Sequence, residues 1–346
     1  MSVSSPPALS VTARNSVNTT NKTPAYIGRF APSPTGPLHL GSLLAAVASY
    51  VDAKHHHGQW LLRIEDVDEY RCVAGSESSI KRCLEAHGLL WDGEIYYQTT
   101  RKAQYHAALE QLAADDRIFF CDCNRKSLRQ HGAVYSGRCR SRRQVRYREA
   151  TRQQPANYAI RFDLSPYDTT ALEFTDRVLG KQSFPAKTLG DFIIRRRDSL
   201  FAYQLAVSVD DIEQGITHVV RGADLLASTP WQLAVIDALH AEPPSYAHLP
   251  LIVHAAGDAK SGGDKLSKQT GAPAVDERQA SVNLGQVLSM LGQPLPSNAA
   301  QRSTTELLEH AIKHWQIEQI PQRAIPISAD VFPPTYHDDT APTTAR

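Results

Sequence analysis

A chain of 346 residues is long enough to bury a sizeable core and to divide into two or three structural units. Its formal net charge of +1 excludes a basic surface spread over the whole molecule, so any nucleic-acid contact must be a local patch. No apolar run approaches about 18 residues, which leaves no membrane-spanning candidate, and five cysteines fit a reducing cytoplasm better than a disulfide framework.

Residues 1–23 are rich in Ser, Thr, Asn and Pro, with Arg14 and Lys22 as their charged groups. They lack the apolar core of a secretory signal and the Arg content of a transit peptide, so a disordered extension is expected. Tyr26 to Phe30 then reads as a short strand, followed by a loop held by Pro32, Pro34, Gly36 and Pro37. A helix is expected to open near Leu38, with His39 and Gly41 in its first turn. Strand, tight loop and helix N-terminus together favour a phosphate, because unpaired N–H groups and the helix dipole point at it. A histidine there can donate to that phosphate, and Gly41 leaves room for a flat base.

His55, His56 and His57 form a turn whose side chains diverge into solvent. Trp60 to Ile64 reads as a buried strand that ends in Glu65. Polar groups at the carboxyl ends of strands in an open α/β sheet lie where ligands bind, which makes Glu65 a candidate partner for an ammonium group. Asp66 and Asp68 can simply start the next loop. Helical spacing of apolar residues recurs over 76–89 and 101–114, with Cys72 and Cys83 as ordinary turn or core residues.

Composition changes near residue 117. Cys121, Cys123 and Cys139 crowd together, and zinc would need one further ligand to close a tetrahedral site; three free thiols in a loop are the alternative. Between Asn124 and Arg148 there are nine Arg or Lys and no acid, a pattern open to a solvated face or to an RNA backbone.

Strands are expected over 158–163, 172–179, 191–196, 216–221 and 249–254, with an element over 200–209 and a helix from Ala223. Tyr203 and Arg221 are candidates to face the cleft, and an Arg can grip a carboxylate through two parallel hydrogen bonds. A Gly-rich loop then carries KLSKQ, Lys265 to Gln269. Its two lysines, three apart on a mobile loop, can neutralise a triphosphate. Helices are expected over 276–292 and 304–318, and the last residues, 333–346, should fray.

RFAPSPTGPLHLGS, around His39 and Gly41, resembles the HIGH signature of class I aminoacyl-tRNA synthetases in their glutamyl/glutaminyl branch, and KLSKQ resembles their KMSKS signature. The likeness runs from about Tyr26 to Gln269. It implies an α/β fold: a Rossmann-type catalytic core with an inserted zinc-containing subdomain and a small C-terminal helical region. The expected division is 24–115 and 191–255 for the two halves of the core, 116–190 for the insertion, and 256–332 for the KLSKQ loop and helices. Only 78 residues follow Lys268, too few for the large anticodon-binding region of glutamyl-tRNA synthetases. That shortness, the Cys-x-Cys, Tyr and Cys pattern, and Gln269 are similar to the shortened paralogous family that glutamylates queuosine in tRNA(Asp).

The resemblance implies ATP, L-glutamate and queuosine-bearing tRNA(Asp) as substrates, Mg2+ with ATP, one structural Zn2+ per chain, and a cytoplasmic monomer with no membrane partner. It assigns Arg29, Phe30, Ala31, Pro32, Ser33, Glu65, Tyr203 and Arg221 to glutamate. His39, Gly41 and Lys268 go to ATP, with His39, Lys265 and Lys268 stabilising the charge of the reaction. Cys121, Cys123, Tyr135 and Cys139 hold zinc, Tyr135 being a ligand that coordination chemistry alone would not have chosen. Pro37 departs from the Glu that relatives often carry. Three other readings remain open: a truncated enzyme charging tRNA(Glu), a small-molecule nucleotidyltransferase, and a non-catalytic RNA-binding paralogue.

Overall fold

The computed structural model describes residues 26–129, 134–135, 137–141, 158–254 and 273–327. The expected N-terminal extension, the KLSKQ loop with Lys265 and Lys268, much of the basic strip and the expected frayed tail lie outside the described residues.

Strand β1 (Ile27–Phe30) leads through the proline loop to helix α1 (Leu40–His55) and back to strand β2 (Gln59–Ile64), which pairs with β1 in parallel. The helix starts two residues later than its spacing suggests. His39 is the N-cap rather than a first-turn residue, in extended conformation, with its imidazole Nδ1 accepting from the Ser42 N–H at 3.3 Å. Ala and Leu, both good helix formers, dominate α1, and ten of its sixteen residues are buried. His57 closes the α1 turn with a positive φ of 55°. Gly58 follows because a Cβ there would sit 2.3 Å from the Tyr26 carbonyl oxygen.

Helix α2 (Ser76–Ala86), strand β3 (Tyr96–Tyr97) and helix α3 (Lys102–Ala114) complete the first half, with β3 parallel to β2. The chain then enters an antiparallel sheet. Strand β4 (Ile118–Cys121) pairs with β5 (Ala159–Phe162), short helix α4 (Arg125–Arg129) lying between them in sequence. The single strand expected over 172–179 is half of a hairpin, β6 (Ala171–Asp176) with β7 (Gly180–Pro185). Its partner escapes a periodicity reading because GKQSFP is polar and largely half-exposed. Short helix α5 (Ala186–Leu189) then leads to β8 (Phe192–Arg195), the third strand of the β4–β5 sheet.

Helix α6 (Tyr203–Glu213) returns the chain to the parallel sheet through β9 (His218–Gly222), helix α7 (Thr229–Ala238) and β10 (Ser245–Leu249). The helix expected from Ala223 begins as a 3-10 turn and becomes regular at Thr229. The strand expected over 249–254 is broken at Pro250, which has no N–H for a ladder; β11 (Ile252–His254) continues beyond it. β9 lies beside β1, joined by Thr217: its N–H donates to the Ile27 carbonyl at 2.9 Å and its hydroxyl accepts from the Ile27 N–H at 2.9 Å. The parallel strands thus run in the order β3-β2-β1-β9-β10, a doubly wound arrangement whose switch point falls between β1 and β9.

Helices α8 (Ala280–Met290) and α9 (Thr304–His314) pack on α1, and strand β12 (Ile325–Ile327) pairs with β11. Ser303 and Glu306 form a reciprocal capping box at the start of α9. Both helices stop short of the expected 292 and 318. No described helix is long and apolar enough to cross a membrane.

One carboxylate gathers these layers. Asp52 on α1, fully buried, accepts from the Tyr26 hydroxyl, from both terminal nitrogens of Arg177 at 2.5 and 3.0 Å, and from Trp315 Nε1 at 2.9 Å. Burial alone would raise its pKa, yet the Arg177 pair and the other donors hold it below the usual carboxylate range. Removing one member of a buried ion pair typically costs about 3–5 kcal/mol because the other charge is left uncompensated. Asp52→Ala is therefore expected to lower unfolding free energy by about that much in urea titration. A loss below about 1 kcal/mol would refute its role as a hub.

Candidate active site

The carboxyl ends of β1, β2 and β9 converge on a charged cluster supported by α6. Arg29 on β1 and Arg63 on β2 both reach Asp211 on α6: Arg29 Nε donates to Oδ1 at 3.2 Å and Arg63 Nη2 to the same oxygen at 2.7 Å. Arg63 Nη1 also donates to Gln214 Oε1 at 2.6 Å. Asp211 is buried, which would raise its pKa, but the two guanidinium groups hold it down and ionised.

Glu65 stands at the end of β2, and its backbone N–H donates to the Pro32 carbonyl at 2.9 Å, so the proline loop and this carboxylate share one wall. Arg63 Nη2 is 3.5 Å from Glu65 Oε1, beyond a good hydrogen bond, because that guanidinium is engaged by Asp211 and Gln214. Glu65 Oε1 is buried with no hydrogen-bond partner. Burial pushes its pKa up to about 7; Arg63 and Arg29 oppose the rise, while Asp211 and Asp210 add to it. An unsatisfied carboxylate at the mouth of a parallel sheet is suited to an incoming ammonium group.

The second arginine is fixed differently. Arg221 on β9 donates through Nη1 to the Tyr203 hydroxyl at 3.3 Å, through Nη2 to Thr229 Oγ1 at 2.9 Å, and through Nε to His248 Nε2 at 3.1 Å. A guanidinium has no acceptor, so His248 Nε2 must be unprotonated and Nδ1 carries the proton. That Nδ1 lies 2.6 Å from Asp176 Oδ2, to which it donates. Asp176 Oδ1 in turn accepts N–H groups from Val178, Leu179 and His248. Burial lowers the His248 pKa and keeps the ring neutral. The β6–β7 hairpin therefore sets the histidine tautomer, and the tautomer aims the arginine.

Of the residues expected to surround an amino acid, Arg29, Glu65, Tyr203 and Arg221 come together here. Phe30 points the other way, its ring stacked on Trp60 at 6.2 Å within the core, so only its backbone borders the loop. Asp211, Arg63, His248 and Asp176 were not expected. An arginine inside the apolar run WLLRI and paired acids in LAVSVDDI were the available signals, since buried charges require partners.

Beside this cluster, His39 caps α1. Its Nε2 lies 3.1 Å from the Ser42 hydroxyl, and the ring folds back over Gly41, where a Cβ would come within 3.1 Å of the imidazole. Gly41 thus makes room for the histidine itself. Ala274 bridges to His39, and the Val275 N–H donates to the Leu38 carbonyl at 2.9 Å, so the chain leaving the KLSKQ segment is tied to the helix mouth.

The cysteines gather as well. The sulfurs of Cys121, Cys123 and Cys139 lie within 4.8 Å of one another. The Tyr135 hydroxyl is 3.6 Å from Cys121 Sγ and 4.0 Å from Cys123 Sγ. Three thiols and a phenol on one point form a donor set that suits a soft divalent cation.

Residues 27–287 match the family of class I tRNA synthetases (E and Q), catalytic domain. The chain is 46% identical over 308 residues to the glutamyl-Q tRNA(Asp) synthetase of Thiobacillus denitrificans, covering 87% of this chain and 97% of that protein. It is 46% identical over 292 residues to the glutamyl-Q tRNA(Asp) synthetase of Idiomarina loihiensis, covering 84% and 96%. The crystal structure of a glutamate–tRNA synthetase from Elizabethkingia anophelis superposes with a TM-score of 0.73 at 29% identity, over 88% of this chain and 68% of that one.

Burial of Glu65 makes ligand binding depend on pH with a definite sign. Its folded pKa, about 7, lies above the ordinary 4.5, so ionising it costs stability increasingly from about pH 4.5 to 7 and constantly above. An ammonium ligand needs the ionised form, so protons compete with it below pH 7. The dissociation constant of L-glutamate, measured by calorimetry, is expected to rise about tenfold from pH 8 to pH 6, and the dependence should vanish in Glu65→Gln. A flat profile in the parent protein would refute the pairing.

Proposed function

The chain belongs to the class I tRNA synthetases of the E and Q branch, among the glutamyl-Q tRNA(Asp) synthetases, and from that membership we propose that it activates glutamate with ATP and transfers it to the queuosine base of tRNA(Asp). The observation that carries the amino-acid half is a Glu65 oxygen without a hydrogen-bond partner at the same strand ends as Arg29, held by Asp211, and Arg221, held beside Tyr203. Glu65 receives the α-ammonium. Arg29 and Arg221, with Tyr203, receive the two carboxylates, and the backbone from Phe30 to Ser33 lines the approach.

The α-carboxylate needs no general base, its reference pKa being near 3.5. It attacks the α-phosphorus of ATP; the new C–O–P bond forms as the bond to pyrophosphate breaks, giving glutamyl-adenylate. Catalysis is positioning and charge stabilisation. His39 and the N-terminus of α1 meet the phosphates, Gly41 borders the adenine, and Lys265 and Lys268 balance the charge that builds up on pyrophosphate. Lys268 precedes Ala274 by six residues, at most about 20 Å of extended chain, and Ala274 is bridged to His39; this length supports one shared triphosphate site. Class I synthetases use ATP with Mg2+, which supplies further charge neutralisation on the phosphates. A hydroxyl of the modified base then attacks the adenylate carbonyl, releasing AMP.

Cys121, Cys123, Tyr135 and Cys139 would hold one zinc ion as a structural site. The convergence of the three sulfurs within 4.8 Å of one another, with the Tyr135 hydroxyl 3.6 Å from Cys121 Sγ, supports this reading. Cys123→Ser is expected to lose most of the metal and to lower the thermal midpoint; unchanged zinc by elemental analysis would count against the site.

The deciding experiment offers the protein labelled glutamate and ATP with tRNA(Asp) bearing queuosine, tRNA(Asp) lacking it, and tRNA(Glu). Transfer to the first alone is expected. Charging of tRNA(Glu) would replace this function with that of a shortened glutamyl-tRNA synthetase.

A further inference from the structure

Between the thiol cluster and the start of α6 lies a cleft of about 510 Å³, bordered by Tyr135, Arg138, Arg161, Arg196, Gln204 and Trp231. That volume falls within the range of small-ligand pockets. Two of its walls carry buried donors with no hydrogen-bond partner, the Trp231 indole Nε1 and the Arg161 Nε. Both groups can only donate, and a buried donor left unpaired is expensive, so an occupant rich in acceptors is implied. Arg161 itself is 6% exposed; its Nη1 donates to the Asp191 carbonyl at 2.8 Å and its guanidinium lies 3.9 Å from the Tyr135 ring centre. The one acid of the wall, Asp191, is taken up: Arg140 donates to both oxygens at 2.8 Å and the Leu164 N–H to Oδ1 at 2.9 Å.

Arg196 is paired with Asp68 at 3.3 Å and with Asp198 at 2.6 Å, so the positive charge the cleft keeps comes chiefly from Arg161, with an aromatic face from Trp231. Arg161 and Arg196 also border a second cleft of about 400 Å³ that reaches Cys123, Asn124 and Asp198, making one trough. At the other end, the lining residue Gln204 follows Tyr203, whose hydroxyl is held by Arg221.

The geometry points to a nucleotide pocket: this cleft takes a phosphodiester-linked nucleotide of the RNA substrate, next to the one that receives glutamate. Positive charge with flat side chains and orphan donors matches a splayed single-stranded nucleotide, which offers phosphate and base oxygens as acceptors and a ring to stack. The assignment rests on the proposed transfer to tRNA and adds the place where a neighbouring nucleotide is read.

Binding of full-length tRNA(Asp) to the intact chain, followed by fluorescence anisotropy, tests it directly. Gln204→Glu places a carboxylate in the trough without changing its volume and is expected to weaken binding at least about tenfold. Trp231→Phe removes only the N–H and part of the stacking face, and should weaken binding about three- to tenfold. Glutamate-dependent ATP–pyrophosphate exchange in the same variants reads the amino-acid pocket separately. Tighter dependence of binding than of exchange on these substitutions supports the pocket. Binding within twofold of the parent in both variants would overturn it, as would losses in exchange equal to those in binding. Absence of glutamate transfer by the parent to queuosine-bearing tRNA would instead sink the function, while the binding comparison still decides the pocket.

Discussion

Two consecutive acids on a buried face of α6, Asp210 and Asp211, constrain the rest of the catalytic unit. Neither can remain charged there without partners. Asp211 takes Arg29 from β1 and Arg63 from β2. Asp210 takes Arg101, Gln98 and Tyr105 from the approach to α3 and from α3 itself. A helix arriving more than 100 residues after those segments thereby fastens both strands and α3 together. The orientation of Arg29 follows from this neutralisation, and so does the isolation of Glu65, whose neighbouring arginine is already engaged. The site is a consequence of where α6 must find its counter-charges.

Arg221 is positioned by a second, independent chain of hydrogen bonds through His248 to Asp176. The two arginines of the site thus answer to different parts of the molecule. One is held by a helix of the nucleotide-binding sheet. The other is held by a hairpin that lies outside that sheet in sequence, between β5 and β8, and closes upon β10. Movement of the hairpin would therefore be felt at Arg221 before it was felt at Arg29.

Much of the frame was legible from local pattern. The proline loop, the short strand before it and the apolar helix after it announce themselves in RFAPSPTGPLHLGS, and Glu65 at a strand end is visible because WLLRI is so apolar. What local pattern misses is pairing over distance: Arg63 and Asp211 are 148 residues apart, and nothing near either names the other. The polar strand β7 is equally silent, because its ladder to β6 rather than its composition makes it a strand. His39 was expected inside the helix and caps it instead, a difference set by the ring's preference for the Ser42 backbone. The wall formed by Trp231 and Arg161 joins segments that no short-range signal relates.

Asp52 has a consequence for how the polypeptide is made. Its partners are drawn from Tyr26 just before the first strand, from the turn of an inserted hairpin and from Trp315, which lies 263 residues further along. The indole cannot occupy its place until nearly every described residue has left the ribosome. During synthesis the first βαβ unit must therefore wait with an unfinished polar cluster at its centre. Completion comes from the far end of the chain, so the C-terminal helices act as the clasp of the nucleotide-binding fold rather than as an appendage to it.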